Sequence, residues 1–251
     1  MGVDNLILIF FVFLVIATLY SSVGHAGASG YLAVMVLLSF APDAIKPTSL
    51  ILNIIVSFIA SVQFLKAKYF DKKIFLSFIT TSFPMAFVGG YLSISPKYFK
   101  LIAGLFLIIS SFFLLFKGFI KPSKSPIKQM PLAFGLILGA VIGLVSGLIG
   151  VGGGIFLSPI LIMANWTNVK NASGVAALFI LCNSISGLFG HVAALKQLDH
   201  NIFYWVIAVS IGGLLGSYLG TIKFNNKIII ACLFLVLLSA GLKFVLVDFA
   251  K

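Results

Sequence analysis

Eight long apolar runs set the limits on what this chain can become. They cover residues 5–23, 48–65, 74–94, 98–116, 131–149, 172–195, 202–222 and 227–247, each 18–24 residues long. As helices they rise about 27–36 Å, enough to cross a hydrocarbon layer of roughly 30 Å. Backbone N–H and C=O groups have no water partner in lipid, so such runs close their hydrogen bonds as helices. Two shorter apolar stretches, 30–41 and 155–165, follow Gly-rich breaks. Charged residues make up 9% of the chain, against about 25% in an ordinary soluble domain. That excludes a soluble enzyme. The expected fold class is an all-α, polytopic integral membrane protein.

The charges report topology. All 17 basic residues are Lys, the five acids are all Asp, and the net charge is +12. The lysines flank the apolar runs, where anionic lipid headgroups attract them. The expected partner of this charge is therefore the bilayer and not nucleic acid. Threading the chain puts 11 of the 17 lysines on one face and six (Lys46, Lys97, Lys100, Lys196, Lys243, Lys251) on the other. The richer face, with the 66–73 and 117–128 clusters, is expected in the cytoplasm. Cys182 and Cys232 lie inside apolar runs and form no CxxC, so disulfide, metal and redox roles are not expected. The start lacks the basic residues of a cleaved signal peptide.

The chain reads as a duplication. Gly30-Tyr31-Leu32 matches Gly154-Ile155-Phe156. Asn53 matches Asn183, Asp71 matches Asp199, Ser82 matches Ser210, and Tyr91-Leu92 matches Tyr218-Leu219. The expected organisation is a first transmembrane repeat at 1–116, a Lys- and Pro-containing cytoplasmic linker at 117–130, and a second repeat at 131–251. Each repeat would hold four long helices and one short helix after a Gly break, giving 8–10 membrane segments. Residues 5–41 as one helix would span roughly 55 Å, too long for one crossing. The chain is therefore expected to break at Gly24–Gly30 and return, which makes the repeats inverted. Treating each broken pair as one pass gives parallel repeats instead, and lysine counting does not separate the two.

The chemistry is expected at the breaks. The second reads Ser146-Gly-Leu-Ile-Gly150-Val-Gly152-Gly153-Gly154-Ile-Phe-Leu-Ser158-Pro159; the first reads Ser21-Ser22-Val-Gly24-His25-Ala-Gly27-Ala-Ser29-Gly30. Each precedes a helix start, whose free N–H groups and partial positive charge favour anions. Asn53 and Asn183 sit inside apolar runs, where an amide seeks an oxyanion or a neighbouring helix. His25 and His191 are candidates for proton transfer or anion contact. Embedded carboxylates, the usual cation machinery, are missing from the eight long runs. Expected substrate contacts are therefore Gly24, His25, Gly27, Ser29, Gly30, Asn53, Gly150, Gly152, Gly153, Gly154, Ser158 and Asn183, with His25 and His191 as proton-coupling groups. No catalytic residue, metal or cofactor is expected. Gly27-Ala28-Ser29-Gly30 also fits the GxSG pattern of intramembrane serine proteases, with His191 as its base.

The run from Gly150 to Pro159 resembles the signature of the TauE/SafE sulfite exporter family, also called toluene-sulfonate uptake permeases. Length, duplication and basic linker are similar as well. The first-half copy differs: it has no following Pro. The resemblance implies seven or eight spans from a four-span duplication. It also implies movement of sulfite, sulfonates or related organic anions across a bacterial inner membrane. The expected function is a secondary transporter for small anions, working by alternating access, with an anion channel as the alternative and a homodimer left open.

Overall fold

The structure, a computed structural model, describes residues 3–38, 40, 42–92, 97–119, 127–191 and 202–247. The described residues fold into ten α-helices without a strand: α1 (Val3–Ser22), α2 (Ala28–Leu37), α3 (Pro42–Lys66), α4 (Lys72–Tyr91), α5 (Lys97–Phe119), α6 (Leu132–Ile149), α7 (Gly154–Met163), α8 (Val169–Gly190), α9 (Ile202–Tyr218) and α10 (Asn226–Leu242). α9 and α10 each continue into a π-helical turn, Leu219–Lys223 and Lys243–Val247. Among these residues, five helices are long and apolar enough to cross a membrane: Ala44–Lys66, Lys72–Tyr91, Leu132–Ile149, Val169–Gly190 and Ile202–Lys223. The chain is a polytopic α-helical membrane protein. The middle of the expected linker (120–126) and the Asp199–His200 pair lie outside the described residues.

Side-chain oxygens start several helices. Asp71 accepts from the Ile74 N–H, Asn168 from Asn171, and Asn225 from Ile228, each satisfying one orphan donor of a first turn. α2 and α7 differ. Their N-caps are Gly27 (φ 100°) and Gly153 (φ 81°), left-handed and with no side-chain cap.

Packing is set by rows of small residues. α6 carries Gly135, Gly139, Gly143 and Gly147, one per turn, and they meet Ser77, Phe78, Ser82 and Ala86 of α4 in that order. A Cβ at Gly143 would collide with the Ser82 carbonyl, so the helices touch backbone to backbone. α9 repeats this against α1: Gly212 meets Leu14 and Thr18, Gly216 meets Thr18 and Ser21, and Gly220 meets Ser22. Residue numbers climb together in both pairs, so α4 and α6 run parallel, as do α1 and α9. α8 also runs with α4, through Ser82–Asn183, Gly90–Gly187 and Tyr91–Gly190 contacts. α3 and α8 are antiparallel, since Leu50 meets Gly187 and Phe64 meets Gly174. α5 and α10 are antiparallel too, with Gly104 against Gly241 and Phe112 against Phe234.

One core runs through both halves of the chain, from Phe13 and Tyr31 to Phe179, Trp205 and Leu237. The outer faces stay apolar: Phe11, Phe58, Phe116, Phe134 and Phe203 are all exposed, as lipid contact demands. Most of the described lysines gather at one end of the bundle. Lys170 Nζ donates to the Tyr69 hydroxyl (3.4 Å) and the Thr221 carbonyl (3.1 Å) and lies over the Tyr69 ring. Asp71, Lys73 and Lys128 share one cleft at this end. Lys46 and His191 lie at the opposite end, beside the close of α6.

Candidate functional site

Gly24, Gly27, Gly150, Gly152 and Gly153 all hold positive φ, between 73° and 100°. These turns stop α1 and α6 and release the chain into short extended segments. The end of α7 is pinned to the foot of α6, because the Lys128 N–H donates to the Asn165 carbonyl (2.9 Å). α7 has 10 residues and rises about 15 Å; α6 has 18 and rises about 27 Å. The first residue of α7 therefore sits about halfway along the bundle.

There the two breaks meet. The His25 Nε2–H donates to the Gly154 carbonyl (3.0 Å), and the Ser158 hydroxyl lies 3.3 Å from the same nitrogen. His25 stands just before α2, and Gly154 opens α7, so the free N–H ends of two short helices converge. Ser49 of α3 bridges them, its one hydroxyl proton shared between the Ala28 and Gly150 carbonyls (3.4 Å each). Asn53, one turn on, donates from Nδ2 to the Ser184 hydroxyl (3.4 Å) and lies against Gly152. His25 is 0% exposed, and Asn53 and Ser158 are 1% exposed. The site is closed.

Three buried polar atoms around it have no protein partner: His25 Nδ1, Asn53 Oδ1 and the Ser146 hydroxyl. Ser146 lies against Gly153. Buried polar groups are ordinarily paired, so a cluster of orphans next to two free helix ends is chemistry suited to a polar guest. Rotating the Asn53 amide exchanges its O and N. Ser184 then donates to Asn53, and the amide presents its NH₂ to that guest.

The structure brings Gly24, His25, Gly27, Gly150, Gly152, Gly153, Gly154, Ser158 and Asn53 into one region. Ser29 faces away from the histidines: its hydroxyl pairs with Tyr20 Oη (2.9 Å), which also reaches Ser239 (3.3 Å). Among the described residues, Ser29 makes no hydrogen bond to a histidine. Gly30 is helical and packs on Ile16. Asn183 is bound to Ser82 of α4, accepting at Oδ1 (3.1 Å) and donating from Nδ2 (2.8 Å). The matched asparagines therefore sit in unlike surroundings. His191 caps α8, away from His25, with Nε2 unpartnered. Ser49 and Ser184 escaped sequence reading, because a lone serine in an apolar helix is common; Ser146 opened the second break motif but was assigned no contact. The signal for Ser49 was its spacing: Lys46, Ser49 and Asn53 stand at i, i+3 and i+7, on one face of α3.

A polytopic helical bundle whose broken helices meet in a closed polar site belongs to the class of membrane transporters. Comparison with known proteins agrees. The profile of the sulfite exporter TauE/SafE family matches residues 9–244, and the chain belongs to that family. It is 37% identical over 234 residues to a probable membrane transporter protein of Sinorhizobium fredii, covering 92% of this chain and 94% of that protein. A probable membrane transporter protein of Methanocaldococcus jannaschii is 31% identical over 199 residues, covering 74% and 73%. One of Bacillus subtilis is 24% identical over 221 residues, covering 80% of each. No solved structure matches significantly.

Proposed function

We propose that this protein is a secondary transporter for small anions, of the sulfite, sulfonate or related organic anion class, in a bacterial cytoplasmic membrane. The supporting observation is the meeting of two side-chain-uncapped helix N-termini at His25 and Gly154. Each carries about half a positive charge, and low-dielectric surroundings strengthen their pull on an anion. The amides at Gly27–Ser29 and Gly153–Ile155 would bind the anion's oxygens, with Asn53 and Ser49 beside them. A proton on His25 Nδ1 would add a donor, so anion and proton would favour each other's binding. Opposed directions of matching helices (α3 against α8, α5 against α10) support inverted repeats. Rocking them would open the site to alternate sides. The buried state of His25 and Asn53 favours a carrier over an open pore.

The test is flux of radiolabelled sulfite, taurine-like sulfonates and carboxylates into proteoliposomes. Saturable anion uptake without unitary currents in planar bilayers supports the reading. Wild-type uptake retained in Asn53→Ala would overturn the site assignment, and absence of any anion flux would overturn the function.

A further inference from the structure

Among the described residues, a row of polar side chains on α3 leads from Asn53 toward one end of the bundle, where Lys46 stands. On α3, Lys46, Ser49 and Asn53 follow one another along the second break. The stem of Lys46 lies on Gly150, since a Cβ there would stand 3.6 Å from Lys46 Cβ and Cγ. Ser49 donates to the Gly150 carbonyl (3.4 Å), and Asn53 lies at Gly152. His191, the C-cap of α8, follows Gly187, which abuts Gly147, so it flanks the same end of α6 as Lys46. Its Nε2 has no protein partner. Lys46 and His191 are half-buried, while Ser49 and Asn53 are buried, so the row leads from the rim inward.

The matching face of α8 is not polar. At the Asn53–Asn183 offset, Lys46 and Ser49 correspond to Ala176 and Phe179, both fully buried. The Phe179 ring stands against Gly153. The row on α3 is therefore polar, whereas the corresponding face of α8 sets an aromatic ring against Gly153.

We propose that Lys46 and His191 form a second, outer anion site, a loading point at the lysine-poor end of the bundle that passes the substrate along Ser49 to Asn53. It rests on the anion-transport reading and adds where the anion first binds. A half-exposed cation in water is screened over about 8 Å at physiological salt, so this site acts mostly at low ionic strength. By the positive-inside rule, the lysine-poor end faces outward.

The experiment compares uptake of a small sulfonate by wild type, Lys46→Gln, Lys46→Arg and His191→Gln in proteoliposomes at low and high salt. Expected is a rise of about tenfold in KM for Lys46→Gln at low salt, with Vmax within twofold and the salt dependence of KM largely gone. Lys46→Arg should keep both. His191→Gln should raise KM by a smaller factor. Wild-type KM and salt dependence in Lys46→Gln would overturn the outer site while leaving the transport reading intact. A fall in Vmax alone, equal in Lys46→Gln and Lys46→Arg, would also overturn it, since that marks a packing role. If wild type moves no anion, the transport reading itself fails.

Discussion

Asn53 and Asn183 match in the two halves, yet their stabilities should respond to the same substitution with opposite sign. Asn183 exchanges two hydrogen bonds with Ser82, at 2.8 and 3.1 Å. Asn183→Leu removes both and leaves the buried Ser82 hydroxyl unpaired, a loss of about 1–3 kcal/mol. Asn53 makes one long bond to Ser184 and holds a buried, unpaired carbonyl oxygen. Asn53→Leu strands the Ser184 hydroxyl but removes that unpaired oxygen and adds apolar contact, for a net gain of about 1 kcal/mol. At about 2–4 °C per kcal/mol for a chain of this length, Tm rises by about 2–4 °C in Asn53→Leu and falls by about 2–12 °C in Asn183→Leu. The substrate supplies the second readout. A ligand at 100 times its Kd adds about 2.7 kcal/mol to wild type, and that increment should nearly vanish in Asn53→Leu. The free thiols of Cys182 and Cys232 allow the assay in detergent, with a fluorogenic thiol dye reporting unfolding, with and without sulfite or a sulfonate. Equal destabilisation by both substitutions, with the ligand shift retained in Asn53→Leu, would refute the argument and make Asn53 simple interhelical glue.

Other perturbations give equally definite outcomes. Gly24→Ala should collapse accumulation of folded protein, because its Cβ runs into the Ser173 backbone at a residue with φ 74°. Gly150→Ala has neighbours no nearer than 3.6 Å, so it should lose only about 1–2 kcal/mol and still purify, as size-exclusion profiles of the two variants would show. His25→Ala, which removes the direct hydrogen bond between the breaks while Ser49 still bridges them, should cut anion flux at least tenfold while sparing the membrane-inserted yield. Tyr20→Phe loses bonds to Ser29 and Ser239 and should lower Tm by about 2–6 °C with flux retained.

Much of the fold could be read in advance because lipid makes the code simple. Length alone marks the long helices, and Gly24–Gly30 and Gly150–Gly154 mark the breaks, since only glycine holds left-handed turns cheaply. The short helices follow where the breaks release them. The pairing of α1 with α9 and of α4 with α6 was not legible, although Gly135, Gly139, Gly143 and Gly147 announced a close approach to some helix. A row of glycines states that a neighbour is near, not which one. The same holds at the site. His25 and Asn53 stood out as polar residues in apolar surroundings, but the difference between Asn53 and Asn183 lies in Ser184 and Ser82, each more than a hundred residues from its partner in sequence. Lys46 was read as a marker of a helix end; its place beside Gly150 depends on the tertiary fold.

The crossed pairing of α1 with α9 also governs how the protein is made. Gly212 and Gly216, the surfaces that receive Thr18 and Ser21, are synthesised roughly 190 residues after them, about 10–40 s later at 5–20 residues per second. Through that interval α1 lacks its main mate, and its small polar flank must be sheltered by lipid or by the insertion machinery. α4 waits far less, since α6 follows after one helix and the linker. A ribosome that stalls before Ile202 therefore leaves an N-terminal helix with an unfilled seam, a natural recognition mark for membrane quality control.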